Sequence, residues 1–160
     1  MTIEVRLAIP ADARGIALVH VQAWREAYAH LIPAEALARL SIDQRERRWA
    51  ELIPAATPDV WVGTDGESTV GWATSSRGHA ADSPRVLELE GIYVLASHHG
   101  SGLGQRLLDA AIGEGPAFLW VADDNPRARA FYTRNGFVPD GATKAGPVAG
   151  TPVAQIRMVR

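Results

Sequence analysis

The residues with the most distinctive chemistry form a glycine loop, Gly100-Ser-Gly-Leu-Gly104. An apolar run typical of a β-strand, Leu89 with 92–94, precedes this loop, and an amphipathic helical pattern follows it. Glycine lets a ligand approach the backbone closely, and the first N–H groups of a helix have no partner within the chain. A strand, a glycine turn and a helix N-terminus in this order form an anion site, which most often holds a phosphate or diphosphate. The sequence therefore predicts binding of a phosphorylated cofactor.

Two common nucleotide-binding loops do not fit these residues. An ATP-binding loop needs Lys and then Ser or Thr after its last glycine, but Gln105 and Arg106 follow Gly104. A dinucleotide fingerprint needs its third glycine at position 105 or 107, and Leu107 occupies the second of these. For the glycines alone, a tight strand-to-helix turn without a ligand stays an alternative. If a phosphate binds, the N–H and the hydroxyl of Ser101 are further donors.

Composition excludes several other classes of function. The chain has no cysteine, which excludes disulfides, thiolate metal sites and a cysteine nucleophile. The five histidines lack the spacing of a metal site, and no Gly-x-Ser-x-Gly nucleophile elbow is present. A net charge of −2 argues against nucleic-acid or anionic membrane surfaces as partners. No apolar run is long enough for a transmembrane helix, so we expect a cytoplasmic protein of one domain, residues 1–160.

Hydrophobic periodicity predicts an α+β domain with mixed strands around a central sheet. Period-two alternation and apolar runs predict strands near 3–7, 60–64, 68–75, 86–94, 118–121, 137–138 and 152–159. Helical spacing and capping residues predict helices at 10–28, at 33–40, from 42 to before Pro54, after the glycine loop, and between Asn125 and Gly136. We expect a loop rich in Gly and Ala between the last two strands.

Three stretches of the chain, in the same order, resemble the GNAT superfamily of N-acetyltransferases. The stretch LELEGIYVLASHHGSGLGQRLL resembles the acetyl-CoA-binding motif of that family, and WVADDNPRARAFYTRNGF resembles its next motif. The opening VRLAIPADARGIALVHVQAWREAYAHLIPAEAL is similar to the first strand and helices of bacterial members. One residue departs from the family pattern. His99 stands where the family usually has Gln or Arg, so we expect somewhat weaker cofactor binding.

The resemblance implies a fold and a cofactor site. The expected fold is a GNAT-like α+β domain whose central sheet is mixed and mostly antiparallel. About seven strands and about four flanking helices are expected, with the sheet splayed at the cofactor site. The backbone of Ile92 and Val94 is expected to pair with the pantetheine arm of acetyl-CoA. The full set of expected cofactor-binding residues is Ile92, Tyr93, Val94, His99, Gly100, Ser101, Gly102, Leu103, Gly104, Gln105, Asn125 and Phe131.

The resemblance also implies an activity, the transfer of an acyl group from acetyl-CoA to a primary amine. The acceptor is expected to be a small-molecule amine or a peptide amine, with no metal involved. Since the chain has no cysteine, an acyl-thiol enzyme cannot form, so direct attack in a ternary complex is expected. A non-catalytic acyl-CoA-binding or regulatory module of the same fold is the alternative. Family members often dimerise, so a homodimer stays open beside a monomer.

Site residues follow from the same resemblance. Tyr132 is expected to be the general acid for the departing CoA thiolate, although its helical spacing also suits a core aromatic. Glu88 is expected to take the proton of the amine, with Glu90 as the second candidate. On a regular strand both side chains point to one side of the sheet. A solvated sheet face is their alternative role. Trp24 and Tyr28 are expected to line the acceptor pocket, and packing is their alternative role.

Asn125 has two expected roles. An Asn that precedes a proline is a common helix N-cap, and here Pro126 follows it. In the resembling family the same Asn also faces the cofactor.

Overall fold

A computed structural model of the chain describes all residues, 1–160. The seven strands are β1 (Ile3–Leu7), β2 (Asp59–Asp65), β3 (Ser68–Arg77), β4 (Leu87–Val94), β5 (Phe118–Ala122), β6 (Val138–Val148) and β7 (Thr151–Val159). The five helices are α1 (Ala13–Tyr28), α2 (Ala34–Ala38), α3 (Ile42–Ala55), α4 (Leu103–Ile112) and α5 (Pro126–Arg134). Short 3₁₀ turns precede α1 and α4. None of the helices is both long and apolar enough to cross a membrane.

All seven strands form one sheet in the order β1-β2-β3-β4-β5-β7-β6. Every neighbouring pair is antiparallel except β4 and β5. These two parallel strands pair at only two positions, Glu88 with Phe118 and Leu89 with Leu119. Beyond these positions β4 and β5 separate and leave a gap in the middle of the sheet. The fold class expected from the sequence is confirmed, with five helices where about four were expected.

The two faces of the sheet carry different helices. Helices α4 and α5 lie on one face, where the core includes Leu103, Leu107, Leu119, Tyr132 and Phe137. Helices α1 and α3 cover the other face around β2 and β3, with Ile16, Val19, Trp49, Val62 and Trp72 in the core. A third buried cluster joins the end of α1 and α2 to β5 and β7, and it includes Tyr28, Ile32, Leu37, Ala122 and Val153. The gap between β4 and β5 therefore opens toward a different helix layer on each face.

The largest difference from the sequence prediction lies in the last hairpin. The expected Gly- and Ala-rich loop is mostly strand β6, which pairs with β7 up to Val148 opposite Thr151. Pro139 and Pro147 lower the strand propensity of this segment, but β6 is the edge strand of the sheet, where proline is tolerated. Pairing with β7 overrides the weak local preference, because strand propensity depends strongly on context.

Candidate active site

The gap between β4 and β5 exposes backbone groups of β4. The Leu95 N–H donates to the Val70 carbonyl of β3 at 3.0 Å. Because hydrogen-bonded and non-hydrogen-bonded pairs alternate along an antiparallel ladder, the N–H and C=O groups of Val94 and Ile92 point away from β3 and into the gap. An extended ligand arm in the gap would find strand-like hydrogen-bonding partners there, and at the Val94 carbonyl it would share the acceptor with the His99 ring, whose Nε2 lies 3.0 Å away.

The loop that follows β4 presents a set of unpartnered backbone donors. Gly100 and Gly102 have φ values of +79° and +85°, a left-handed conformation that favours glycine. The first intrahelical bond of α4 runs from the Arg106 N–H to the Gly102 carbonyl at 3.1 Å. The N–H groups of Gly100, Gly102, Gly104 and Gln105 donate to no acceptor in the protein. These four donors lie at the positive end of the α4 dipole, an arrangement that favours binding of an anion.

Other residues of this loop hold its shape. The N–H and hydroxyl of Ser101 both donate to the His98 carbonyl, at 3.3 and 2.7 Å, and the Leu103 N–H donates to the Ser101 hydroxyl. The two Ser101 donors expected at a phosphate are therefore engaged within the loop. The His99 ring nitrogen Nε2 lies 3.0 Å from the Val94 carbonyl. Leu103 is fully buried, and its N–H is bonded to Ser101, so this predicted cofactor-binding residue presents no group at the loop surface.

The loop is also fixed from outside. Glu26 of α1 accepts a hydrogen bond from the Ala96 N–H at 2.8 Å, where the loop begins. His98 lies 3.2 Å from the Asp65 carboxylate at the end of β2. The side-chain amide of Gln105 donates to Asp109 and Asn135, so this side chain is turned away from the four free donors.

Helix α5 brings three predicted residues to the other side of the gap. Asn125 caps α5 by accepting from the Ala128 N–H at 3.2 Å. The Phe131 ring lies beside Gly104, 3.7 Å from where a Cβ would stand. Tyr132 is 7% exposed, and its hydroxyl has no hydrogen-bond partner in the protein. Burial, with a smaller contribution from Tyr28, raises the pKa of Tyr132, so the phenol stays protonated at neutral pH.

Aromatic side chains form a wall on the opposite face of the sheet. The hydroxyls of Tyr28 and Tyr93 are 2.7 Å apart. The Trp24 ring centroid lies 5.8 Å from that of Tyr28 and 6.2 Å from that of Tyr93. Burial raises the pKa of both tyrosines, so both hydroxyls are neutral hydrogen-bonding groups. We call these three residues the aromatic wall.

The two candidate carboxylates differ in geometry. Strand β4 carries one extra residue between the partners of Thr74 and Ser75, and this residue is Glu90. The regular alternation that would put Glu88 and Glu90 on one side is interrupted by this bulge. Glu90 accepts a hydrogen bond from the Ser76 hydroxyl at 2.7 Å. Glu88 has no such partner, and burial, with a smaller contribution from Glu90, raises its pKa.

One charged residue beside the aromatic wall was absent from the sequence prediction. The Arg45 guanidinium of α3 lies over the Trp24 ring, 5.0 Å from its centroid. A usable signal was the spacing of Arg45 and Arg48, because residues three apart share a helix face. No group of three or more His, Asp or Glu side chains is placed to hold a metal ion.

Comparison with known proteins adds independent information. A probable N-acetyltransferase of Mycobacterium tuberculosis is 25% identical over 160 residues, covering 96% of this chain and 91% of the relative. An uncharacterized N-acetyltransferase of Bacillus subtilis is 30% identical over 131 residues, covering 78% and 74%.

Solved structures share the fold. A putative acetyltransferase from Salmonella typhimurium, solved with its cofactor acetyl-CoA, has a TM-score of 0.71 at 22% identity. The match covers 100% of this chain and 94% of the Salmonella chain. The PaiA N-acetyltransferase from Thermoplasma acidophilum, in complex with coenzyme A, has a TM-score of 0.67 at 19% identity and 98% coverage of both chains. The sequence profile of the acetyltransferase (GNAT) family matches residues 21–137. This chain belongs to the GNAT acetyltransferase family.

Proposed function

We propose that this protein transfers an acetyl group from acetyl-CoA to a primary amine by direct attack in a ternary complex. The observation that carries this proposal is the gap between β4 and β5. Four free backbone donors lie at its loop end, a protonated phenol lies on one side, and a carboxylate of raised pKa lies on β4. An acyl transfer from CoA to an amine needs an anion site, an acid and a base, and these groups are our candidates for the three roles.

Acetyl-CoA binds, in this proposal, along the loop and the exposed edge of β4. The four free N–H groups from Gly100 to Gln105 hold the diphosphate, because they combine unpartnered donors with a helix dipole. The pantetheine arm pairs with the backbone of Ile92 and Val94, which faces the gap. Family membership supports this assignment, as do two proteins of the same fold that were solved with CoA or acetyl-CoA.

The amine must lose a proton before it attacks. An alkyl ammonium has a pKa near ~10.4, so at neutral pH nearly all of it is protonated and has no lone pair to donate. We assign this proton to the Glu88 carboxylate, directly or through a water. Burial raises the pKa of Glu88 and makes it a stronger base than an exposed glutamate. Glu90 is the second candidate, but the Ser76 hydroxyl already bonds to it.

Cleavage of the thioester needs a group near the departing sulfur. The amine nitrogen forms the new bond to the acetyl carbon, the carbon–sulfur bond breaks, and the sulfur leaves with the electron pair. We assign Tyr132 as the acid that donates its phenolic proton to this sulfur. The second proton of the nitrogen, which must leave to give the amide, returns through water to the Tyr132 phenolate. Its hydroxyl has no protein partner to give up, and its raised pKa keeps it protonated across the working pH range.

Release of free CoA thiol, measured with a panel of primary amines, tests the activity. We expect release that depends on both acetyl-CoA and amine, and formation of an equal amount of acetylated amine. A non-catalytic acyl-CoA-binding module would bind acetyl-CoA in a calorimetric titration but would release no thiol with any amine. That result would overturn the proposed enzyme activity.

Substitution Tyr132→Phe tests the acid. The phenyl ring keeps the packing but removes the proton, so kcat should fall by about 10²–10⁴-fold while the affinity for CoA stays near that of the wild type. If kcat is unchanged in the folded variant, Tyr132 is a packing residue only.

A further inference from the structure

A cavity lies beside the aromatic wall, and all of its charged lining residues are arginines. Its volume is about 380 Å³, and it lies between α2, the first turns of α3 and the turn that joins β6 to β7. Arg39, Arg45 and Arg48 line it, together with Ser41 and Gln44, and no acidic residue is among its lining residues. A cavity of this size suits a small molecule, and its charge suits an anion.

Arg45 is the most informative of these three cations. Its guanidinium is half-buried and has no hydrogen bond or ion pair in the protein. Burial lowers its pKa, which reflects the cost of holding a cation away from water without a counter-charge. A charge that is held partly out of water gains from a partner, and the one contact of the Arg45 guanidinium is the cation–π contact with Trp24. The Arg45 guanidinium therefore has no counter-charge in the protein, and an anion bound in the cavity would supply one.

No carboxylate of α3 supplies this counter-charge. Asp43 and Glu46 both bind Arg14 of α1, at 2.7 and 2.8 Å. Glu51 has only a long contact of 3.5 Å with Arg48, and both side chains are mostly exposed. The acidic side chains of this helix are therefore engaged away from Arg45.

The backbone of α3 adds to the positive potential. Ser41 caps this 14-residue helix by accepting from the Gln44 N–H at 3.2 Å, and both residues line the cavity. The N-terminus of a helix carries a partial positive charge, which favours an anion at the same place as the three arginines. Guanidinium groups bind carboxylate and phosphate through two parallel hydrogen bonds, and this geometry selects oxyanions over other anions.

The cavity adjoins the aromatic wall, which we expect to line the acceptor pocket. Arg45 contacts the Trp24 ring, and Trp24 contacts Tyr93 of β4, whose neighbours Ile92 and Val94 face the gap. An amine that reaches the gap along the aromatic wall would leave its far end beside Arg45. An acceptor that carries an oxyanion at that end would satisfy both sites at once.

We propose that the acceptor is a small primary amine that also carries a carboxylate or phosphate group, which Arg45 binds together with Arg39 and Arg48. This inference rests on the proposed acetyl transfer and names the acceptor class for it. The pocket selects the acceptor by its anionic group, while the gap performs the chemistry on its amine.

Matched pairs of amines test the inference. 6-Aminohexanoate is compared with pentylamine and 5-aminopentanoate with butylamine, which differ only by a carboxylate at the end away from the amine, and 5-aminopentyl phosphate is compared with 5-aminopentanol for phosphate. We expect kcat/KM to be at least tenfold higher for the anionic member of the carboxylate pairs, the phosphate pair, or both. The pair with the larger ratio identifies the oxyanion. In Arg45→Gln the ratio should fall about tenfold, mainly through KM.

Arg47→Gln is the matched control, because Arg47 lies on the same helix, is exposed and does not line the cavity. It should keep the wild-type ratio. The two amines of a pair differ in basicity, but this difference is the same for every protein. Comparing the kcat/KM ratio of the variant with that of the wild type therefore removes it. Equal ratios in the wild type and in Arg45→Gln, with amines acetylated in both, would overturn the inference and leave the acetyl transfer intact.

Product binding separates this inference from the proposed function. Calorimetry with CoA present compares 6-acetamidohexanoate with N-pentylacetamide, and it needs no turnover. Tighter binding of the acid that is lost in Arg45→Gln supports the anion pocket. The same binding result without acetylation of any amine would overturn the proposed activity but not the pocket. Equal binding of the two products by the wild type would overturn the pocket.

Discussion

Glu88 owes its predicted role to its surroundings and not to its residue type alone. Burial raises its pKa, and the Glu90 carboxylate raises it further, while Lys144 and His79 act in the opposite direction. The balance is upward, so Glu88 takes up a proton at a higher pH than an exposed glutamate does. For a base, this means that activity is lost on the acid side at a pH above the usual titration range of a carboxylate.

Substitution Glu88→Gln should lower kcat most strongly near neutral pH, because almost no free amine is present there without a base. Toward pH 10 the free amine becomes abundant, so the difference from the wild type should shrink. The check is kcat measured from pH 6 to pH 10 with a fixed amine. Glu90→Gln is the control and should keep most of the activity. An equal loss at every pH would leave Glu88 with a binding role only.

Gly104 and Gly102 are needed in the loop for different reasons. Gly102 has φ +85°, so any side chain there strains the backbone. Gly104 lies in the first turn of α4 without a positive φ, and a Cβ there would meet the Phe131 ring at 3.7 Å, an ordinary contact. A substitution at Gly104 thus changes the ligand-facing surface with little strain in the free protein.

We expect Gly104→Val to fold with a free energy of unfolding close to that of the wild type and to bind CoA at least tenfold more weakly, about 1.4 kcal/mol. The valine side chain would hold the diphosphate away from the free N–H groups. Urea unfolding and calorimetric titration with CoA measure the two quantities. Gly115→Val, at a glycine with no atom near its missing Cβ, is the control. Wild-type CoA affinity in a folded Gly104→Val protein would contradict the loop assignment.

At the scale of elements, the sequence predicted those helices, strands and turns whose position depends on neighbouring residues along the chain. The glycine loop and α4 follow from residue type and spacing, and Asn125 with Pro126 marks the start of α5. The long strand β6 could not be predicted, because only pairing with β7 makes a strand of a segment rich in Gly and Pro. The bulge at Glu90 and the Arg45 cavity depend on contacts between distant segments, which one sequence does not display.

Two glycines of the sheet allow helix α4 to pack closely against it. Gly63 of β2 and Gly71 of β3 leave room for the Leu103 side chain, which is fully buried in the first turn of α4. A Cβ at Gly63 would lie 2.6 Å from the Leu103 Cδ1 atom. Because Leu103 lies between Gly102 and Gly104, this close packing fixes where the free N–H groups lie.

Substitution Gly63→Ala should lower the free energy of unfolding by about 1–3 kcal/mol, since overpacking in a dense core displaces side chains and backbone. It should also weaken CoA binding, because the start of α4 must move. Leu103→Val removes the clashing atoms, so the double variant should be more stable than the sum of the two single effects predicts. Urea unfolding of the four proteins measures this coupling, and Gly115→Ala serves as the control. Strictly additive effects would contradict the packing argument.

At the scale of the whole molecule, buried polar groups tie the helix layer to the sheet. His20 of α1 is 6% exposed and accepts a hydrogen bond from the Trp49 Nε1 of α3 at 3.2 Å. Its ring also lies 5.1 Å from that of Trp72 in β3, so one side chain joins two helices and a strand. We propose that residues 1–160 unfold as one cooperative domain, with this contact among those lost.

The burial of His20 has a consequence for stability at acid pH. Burial, with a smaller contribution from Arg45, lowers the pKa of His20 to about 3, against about 6.5 in an unfolded chain. Between these two values the unfolded state binds a proton that the folded state excludes, so stability rises with pH in this window and is lost as the pH falls. From pH 7 to pH 5 this group alone should lower the free energy of unfolding by about 2 kcal/mol.

Substitution His20→Gln keeps an acceptor for Trp49 but removes the titrating ring. We therefore expect the loss of stability between pH 7 and pH 5 to be smaller in this variant than in the wild type, by about the 2 kcal/mol that His20 contributes. Urea unfolding at pH 5, 6, 7 and 8 measures it. Comparison at pH 8, where histidine is neutral in both states, gives the cost of the substitution itself. The same pH dependence in both proteins would show that His20 accepts a proton in the folded protein as readily as in the unfolded chain, contrary to its buried position among Trp24, Trp49 and Trp72.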